Sequence, residues 1–291
     1  MEKTVKRDSS EDDKLFSAFK SLDVSKLKFE KVSCDFCGCE DSDLVYKPLF
    51  VGLEFRFCRC KKCGLIYQNP LLDMESREYL YETREYWNFK DFGDQNDKVI
   101  NYYSYISEID NRQKTDNFRI KWITSRMAPN SRVLDIACGD GFWIDRLNKS
   151  GYQGHGLDIS TSIISVAKEK YGVEVAHGDV EKEWPFTEPF DAITCYTISN
   201  FTKPSLVLKN ISKNLRDGGY FFFNIPDCDN FISKLLGDRF YVYRPCAAVS
   251  FSKKTFTAYL EDNGFEIERM VKDTQQVPIK RLFGMIGLPS V

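Results

Sequence analysis

Val133-Leu134-Asp135-Ile136-Ala137-Cys138-Gly139-Asp140-Gly141 reads as a buried strand that runs into a glycine turn and, from Phe142, into a helix. Glycines let a ligand approach the backbone, and the helix that follows offers free amides. A dinucleotide fingerprint needs a third glycine for close helix–strand packing. Here Phe142, Trp143 and Ile144 follow Gly141, so that fingerprint is incomplete and the acidic positions have to decide the ligand.

Outward from this stretch, strands and helices alternate. Phe142 to Lys149 is a helix ended by Gly151, Gln153 to Asp158 a strand, and Ser160 to Tyr171 a helix closed by Gly172. Strands follow at Val173–Ala176 and Phe190–Cys195, then a helix from Ser205 to Leu215. Asp217-Gly218-Gly219 turns the chain into Tyr220–Ile225, and a helix (Lys253–Asn263) and strand (Phe265–Val271) close the pattern. Upstream, Phe118, Trp122, Ile123 and Met127 recur at helical spacing up to Pro129-Asn130. Near-continuous apolar strands separated by helices predict an α/β fold with a doubly wound, mostly parallel sheet. Asp135, Asp158 and Asp179 then fall at the carboxyl ends of the first three strands, the edge where open sheets bind ligands. Asp135 can fix the glycine loop or accept from a ligand amine, Asp158 can take two ribose hydroxyls, and Asp179 can meet an adenine amino group.

The chain of 291 residues is longer than one compact core needs. Ten cysteines are present, six of them between Cys34 and Cys63. Cys34-Asp35-Phe36-Cys37 and Cys60-Lys61-Lys62-Cys63 are two C-x-x-C knuckles with twenty-two residues between them, followed by Gly38 and Gly64. Two such turns on adjoining hairpins, with Leu49–Phe57 as a ribbon strand, give the four-sulfur cage that structural zinc accepts. A module this small cannot close a good core, so the metal holds it folded. Cys39 and Cys58 stay open as substitutes for a neighbouring ligand.

The organisation expected is a solvated tail over 1–30 with one short helix around Lys14–Leu22, and a zinc ribbon over 31–70. An aromatic-rich helical cover follows over 71–110, with Tyr79, Tyr81, Tyr86, Trp87, Tyr102, Tyr103 and Tyr105, and the catalytic-type domain spans 111–291. Forty-one basic and forty-three acidic residues leave a net charge of −2, which argues against an electrostatic hold on nucleic acid or anionic membrane. No apolar stretch approaches the roughly 20 residues of a membrane span, and the N-terminus has charges where a signal peptide would be apolar. The expected compartment is the cytoplasm, where clustered cysteines read as metal ligands.

From Val133 to Gly141 the chain resembles the class I methyltransferases that use S-adenosylmethionine. Asp158 matches their ribose-binding acid, Asp179-Val180 their adenine-binding pair, and Phe190 through Gly219 their fourth strand, helix and Gly-Gly strand. The resemblance, over about Asn111 to Val271, implies a seven-stranded sheet. It also implies a cofactor site formed by Asp135, Ala137, Cys138, Gly139, Gly141, Asp158, Ile159, Asp179, Val180 and Tyr196. Cys60 through Pro70, then Leu80-Tyr81 and Glu85-Tyr86-Trp87, is similar to a bacterial subgroup with an N-terminal zinc ribbon on Cys34, Cys37, Cys60 and Cys63. That subgroup includes sugar C-methyltransferases and enzymes of polysaccharide and natural-product pathways. It implies a small-molecule acceptor, a sugar among the candidates, bound partly by the ribbon and the tyrosine segment.

Many relatives carry Glu-His after strand four, where this chain has Ser199-Asn200. His155 and His177 are read as structural, which leaves Tyr86 and Asn200 as the candidate catalytic residues, with Tyr196 beside them. The long segment from Pro226 to Val249, with Phe240, Tyr241 and Tyr243, is expected to close over the acceptor, and Arg239 or Arg244 to pair with an anion there. Two competing readings are an RNA methyltransferase that grips its substrate through the ribbon, and a cofactor- or partner-binding module without transfer. Six basic against five acidic residues from Lys31 to Leu72 weigh against RNA.

Overall fold

The structure, a computed structural model, describes residues 19–50, 53–87 and 109–272. In chain order the first strands are Phe29–Glu30 (β1), Ser42–Tyr46 (β2), Leu49–Phe50 (β3), Leu53–Glu54 (β4), Phe57–Cys60 (β5), Ile66–Gln68 (β6) and Leu71–Leu72 (β7). Three helices follow, Met74–Tyr81 (α1), Arg84–Trp87 (α2) and Ile109–Thr124 (α3). The alternating part then runs Arg132–Ile136 (β8), Phe142–Lys149 (α4), Gln153–Asp158 (β9), Thr161–Tyr171 (α5), Val175–His177 (β10), Phe190–Cys195 (β11), Pro204–Asn214 (α6) and Leu215–Phe223 (β12). Phe231–Leu236 (α7), Val249–Ser250 (β13) and Lys253–Asp262 (α8) complete it.

The main sheet has the order β10-β9-β8-β11-β12, every neighbouring pair parallel. With β8 in the middle the order reverses between β8 and β11, and the glycine turn after β8 sits at that switch point. Local chemistry sets the helices. Ser160 caps α5, its hydroxyl accepting from the Ile163 N–H, and Gly172 ends α5 at φ 65°. Ser252 caps α8, with Thr255 reaching back to complete a capping box. Apolar residues of β8, β9 and β11 are fully buried between helices on both faces, as a parallel sheet requires.

The ribbon is not a separate unit. Its sheet has the order β13-β6-β5-β2, so a strand from the far end of the main domain supplies its fourth member. Cys34, Cys60, Leu65 and Tyr67 share one buried cluster with Leu134, Ile136, Ile193, Ile211 and Phe256. Asp35, inside the first knuckle, accepts at Oδ2 from the Ser205 N–H (3.0 Å) and at Oδ1 from the Ser205 hydroxyl (2.9 Å), at the start of α6.

Several expectations change. Among the described residues the main sheet has five strands rather than seven. Phe265–Val271 is not a strand: Phe265 and Ile267 pack on the core by alternation alone, while Glu268 pairs with Arg126 (2.7 Å). Leu49–Phe57 is not one ribbon strand, because β3 and β4 pair with each other as a separate hairpin before β5 begins. Residues 19–30 are mostly exposed but are tied to the rest of the chain. Leu22 and Leu27 pack against the cover segment, the Leu22 N–H donates to Glu85 Oε2 (2.9 Å), and β1 pairs with β7. Residues 19–22 are not helical, and the rest of the helix expected at Lys14–Leu22, like Tyr102, Tyr103 and Tyr105, lies outside the described residues. Among the described residues no helix is long and apolar enough to cross a membrane.

Candidate active site

The turn after β8 alternates left-handed residues, Ala137 (φ 57°), Gly139 (φ 59°) and Gly141 (φ 72°). The Ala137 and Cys138 N–H groups both donate to the Leu157 carbonyl (2.8 and 3.2 Å), which pins the turn to β9. Gly141 caps α4 and leaves no room for a side chain. An added Cβ would lie 2.5 Å from Val173 Cγ2 and 2.9 Å from the Ala167 Cβ. Gly156 is equally confined, by Ile144 Cδ1 at 2.3 Å and Cys138 Sγ at 2.8 Å. The missing third glycine is thus replaced by tight packing around Gly141 and Gly156.

The predicted acids take distinct places. Asp158 Oδ2 accepts from the Gly139 N–H (2.8 Å) and Oδ1 from the Ser160 N–H (3.0 Å), so each oxygen keeps a lone pair for a ligand. Burial pushes its pKa up to about 6. Asp135 Oδ1 accepts from the Thr194 hydroxyl (2.6 Å), which itself accepts from Trp143 Nε1 (3.2 Å). Burial pushes the Asp135 pKa up to about 7, with Thr194 pulling the other way. Asp179 Oδ1 accepts from the Glu181 N–H (2.9 Å), while its buried Oδ2 makes no hydrogen bond and faces Lys182 Nζ at 3.7 Å.

These residues line one cavity of about 320 Å³. Asp135, Ala137, Cys138, Gly139, Asp158, Ile159, Asp179, Val180 and Tyr196 form its sheet-side wall, whereas Gly141 sits behind the turn as its helix cap. Both candidate catalytic residues reach the cavity, Tyr86 from α2 and Asn200 from the short turn after β11. The Tyr86 ring lies edge-on to Tyr81 and to Trp87, with centroids 4.8 Å away in each case. Burial holds the Tyr86 hydroxyl well above its usual pKa, so it is a donor and not a base at neutral pH. The Asn200 side-chain amide makes no hydrogen bond among the described residues. His155 stacks edge-on against Phe190 and His177 meets the Ile159 carbonyl (3.0 Å); neither lines the cavity.

The cover is clamped by a carboxylate. Glu82 Oε1 accepts from the Thr161 N–H (2.7 Å) and Oε2 from the Ser162 N–H (3.3 Å) and hydroxyl, at the start of α5. An acid at a helix N-terminus satisfies free amides and matches the helix dipole. Phe240, Tyr241 and Tyr243 do not close over the site as expected. They pack instead with Phe55 and Phe57, and from their segment Arg244 and Cys246 line the cavity while Arg239 is exposed.

Sequence reading missed a set of cations and their partners. Arg112 pairs bidentately with the fully buried Asp140 (2.8 and 2.7 Å). Arg119 lies 3.6 Å from Asp116 and 3.9 Å over the Tyr196 ring. Arg77, only 3% exposed, donates to the Asn200 carbonyl, to the Cys246 carbonyl (3.2 Å) and to the Tyr81 hydroxyl (3.2 Å). Arg112 and Arg119 lie on the helix before β8, and that position alone was a usable signal.

The four knuckle sulfurs of Cys34, Cys37, Cys60 and Cys63 lie within 4.8 Å of one another, with Cys34–Cys63 and Cys37–Cys60 at 3.5 Å. A tetrahedral cage with metal–sulfur bonds of about 2.3 Å has sulfurs about 3.8 Å apart, which this set brackets. Cys39 and Cys58 turn to backbone carbonyls of Asp41 and Asn69 instead.

A strand-end cradle of acids and glycines opposite an aromatic cover defines a class I methyltransferase fold. The methyltransferase-domain family model matches residues 105–269, more than half of the chain, and the chain belongs to that family. It is 30% identical over 113 residues to the ubiquinone biosynthesis O-methyltransferase of Coxiella burnetii, covering 36% of this chain and 48% of that protein. To the putative methyltransferase YqeM of Bacillus subtilis it is 28% identical over 114 residues, covering 36% and 46%. The chain spans about half the length of these curated relatives. Among solved structures, magnesium protoporphyrin IX methyltransferase of Synechocystis PCC 6803 aligns with a TM-score of 0.47 at 18% identity, over 64% of this chain and 89% of that one.

Proposed function

We propose that this chain transfers the methyl group of S-adenosylmethionine to a small-molecule acceptor, with a structural zinc ion on Cys34, Cys37, Cys60 and Cys63. The observation that carries the reading is one cavity walled by the strand-end acids on one side and by Tyr86, Trp87 and Asn200 on the other. The residues fit the cofactor: the buried Asp179 Oδ2, with Lys182 Nζ at 3.7 Å and no hydrogen bond, can still accept from an adenine amino group. Asp158 keeps free lone pairs for ribose hydroxyls, and the left-handed turn at Ala137 and Gly139 brings bare backbone to the cavity.

S-adenosylmethionine, when bound, supplies a methyl group already activated on a sulfonium sulfur. The chain's own task is then positioning and exclusion of water, of which positioning is worth ~7–11 kcal/mol of barrier. Tyr86, held protonated by burial, orients the acceptor by donating a hydrogen bond; Asn200 offers an amide to the same cavity. With no imidazole in the cavity, the favoured acceptors are groups that need little help to lose a proton. A sugar or a polysaccharide or natural-product precursor follows from the likeness of the ribbon and tyrosine segment to that subgroup. The ribbon's β5 and β6 are largely buried within the molecule, which weighs against a nucleic-acid grip.

Calorimetry with S-adenosylmethionine, followed by a product assay over acceptor pools, tests the reading; about one equivalent bound and methylated product are expected. No binding at millimolar cofactor would end it. Elemental analysis of the purified chain should find about one zinc per molecule.

A further inference from the structure

We infer that the methyl acceptor carries an anionic group, a carboxylate or a phosphate, held at the cover end of the cavity by Arg77 and Arg244. The inference rests on the proposed methyl transfer and names the substrate class of that same site.

Arg77 lines the cavity yet is only 3% exposed. Its Nη2 is fully engaged by the carbonyls of Asn200 and Cys246 and by the Tyr81 hydroxyl. Its Nη1 has no hydrogen-bond partner, and no carboxylate lies within ion-pair distance among the described residues. A guanidinium cannot shed its proton to escape burial. An isolated buried charge costs several kcal/mol unless a counter-charge arrives. Arg244 lines the same wall, its Nε is also buried without a partner, and it too has no ion pair among the described residues.

The other cations of the cavity already have countercharges, Arg112 on Asp140 and Arg119 near Asp116. Arg77 and Arg244 are therefore the cavity arginines without an ion pair among the described residues; Asp158 and Glu181 act on the neighbouring Tyr81 but lie beyond ion-pair distance of both. Tyr81 adds a donor there. Its oxygen accepts from Arg77, its proton has no acceptor among the described residues, and burial pushes its pKa up to about 12. The two arginines are held in fixed relation. Arg77 grips the Cys246 carbonyl, and Gln68 Nε2 donates to the carbonyls of Arg244 (2.9 Å), Pro245 (3.1 Å) and Ala247 (2.7 Å). Because Arg77 also holds the Asn200 carbonyl just past β11, the charge sits beside the wall that carries the candidate catalytic amide.

The test saturates the full chain with S-adenosylhomocysteine and then titrates pyrophosphate in one arm and benzoate in the other. One of the two should bind the binary complex; pyrophosphate marks a phosphate-bearing acceptor, benzoate a carboxylate. Arg244→Gln and Arg77→Lys should each weaken that binding by about tenfold or more, the worth of a charged hydrogen bond, while S-adenosylhomocysteine affinity moves less than about twofold. Should Arg77→Lys fail to fold, Arg244→Gln carries the comparison. The inference is overturned if neither anion binds the binary complex or if binding survives the substitutions. It is also overturned if S-adenosylhomocysteine weakens as much as the anion, which would give the arginines to the cofactor. Failure to bind S-adenosylhomocysteine at all would instead remove the methyl-transfer reading.

Discussion

The cysteine knuckles and the turn after β8 use the same local device and differ in how it is packed. Each knuckle ends in a left-handed glycine whose N–H returns to the first cysteine's carbonyl, Gly38 to Cys34 (2.8 Å) and Gly64 to Cys60 (3.0 Å). Nothing lies within 4 Å of a Cβ added at either glycine. The turn after β8 also relies on left-handed glycines, but Gly141 is wedged against Ala167 of α5 and Val173 just beyond that helix. The knuckle turns are open, with no packing around their glycines; the turn after β8 is closed and depends on packing. In both regions the groups that face a ligand are local in sequence, while the scaffold opposite is borrowed from elsewhere in the chain. β13 completes the ribbon sheet, and α1 and α2 complete the cavity.

The hardest test of that contrast is metal loss. Cys60→Ser, or chelation, should unfold more than the ribbon, because Cys34 and Cys60 belong to the same buried cluster as Leu134 and Ile193. Structural zinc contributes about 10–16 kcal/mol in small modules, so a fall in Tm of more than about 10 °C is expected by differential scanning calorimetry. An unchanged main transition would show that the ribbon folds apart from the domain.

The glycines offer a matched pair. Gly64→Ala should cost only the left-handed penalty, about 1–2 kcal/mol. Gly141→Ala adds overpacking against Val173 and Ala167, for a total of about 2–5 kcal/mol. Urea midpoints at constant slope read the difference, and equal losses would break the open-versus-closed distinction.

Asp158 sharpens the cofactor side. Folded Asp158 keeps its proton up to about pH 6, while an unfolded carboxyl releases it near 3.8. The folded state therefore binds more protons across that window, and stability of the ligand-free chain falls as pH rises through it. Asp158→Asn should flatten that part of the melting profile. In the same window S-adenosylhomocysteine affinity should rise with pH, because ribose hydroxyls donate better to the ionised carboxylate. At neutral pH Asp158→Asn should lower the affinity by about 10–100-fold.

Legibility in the sequence followed the same division. The strand–turn–helix around Asp135, the acids at 158 and 179, and the four clustered sulfurs were readable because each is a short pattern whose chemistry is carried by its own residues. The five parallel strands followed from apolar runs; Phe265–Val271 misled because apolar alternation shows which side chains are buried and not whether a backbone partner is present. Arg77, Gln68 and Glu82 were invisible for another reason. Their partners lie at Asn200, Arg244 and Thr161, and no local period or spacing encodes a contact between such distant segments. Tyr243 was misassigned likewise: its stacking partner is Tyr46 of the ribbon (4.2 Å), not a ligand.

Gln68 therefore gives the smallest effect and the most specific one. Its amide nitrogen serves three carbonyls on the segment that presents Arg244 and Cys246, and the side chain is fully buried. Gln68→Leu removes the side-chain donor of the Pro245 and Ala247 carbonyls, while the Arg244 carbonyl keeps the Ala247 N–H (3.0 Å), and should cost about 1–3 kcal/mol. If the ribbon acts on the cavity by holding this segment, the same change should weaken anion binding to the S-adenosylhomocysteine complex several-fold and leave S-adenosylhomocysteine binding itself unmoved. A loss confined to thermal stability would mean that the ribbon supports the domain without shaping the acceptor end. Equal losses in cofactor and anion binding would mean that the two ends of the cavity are a single mechanical unit.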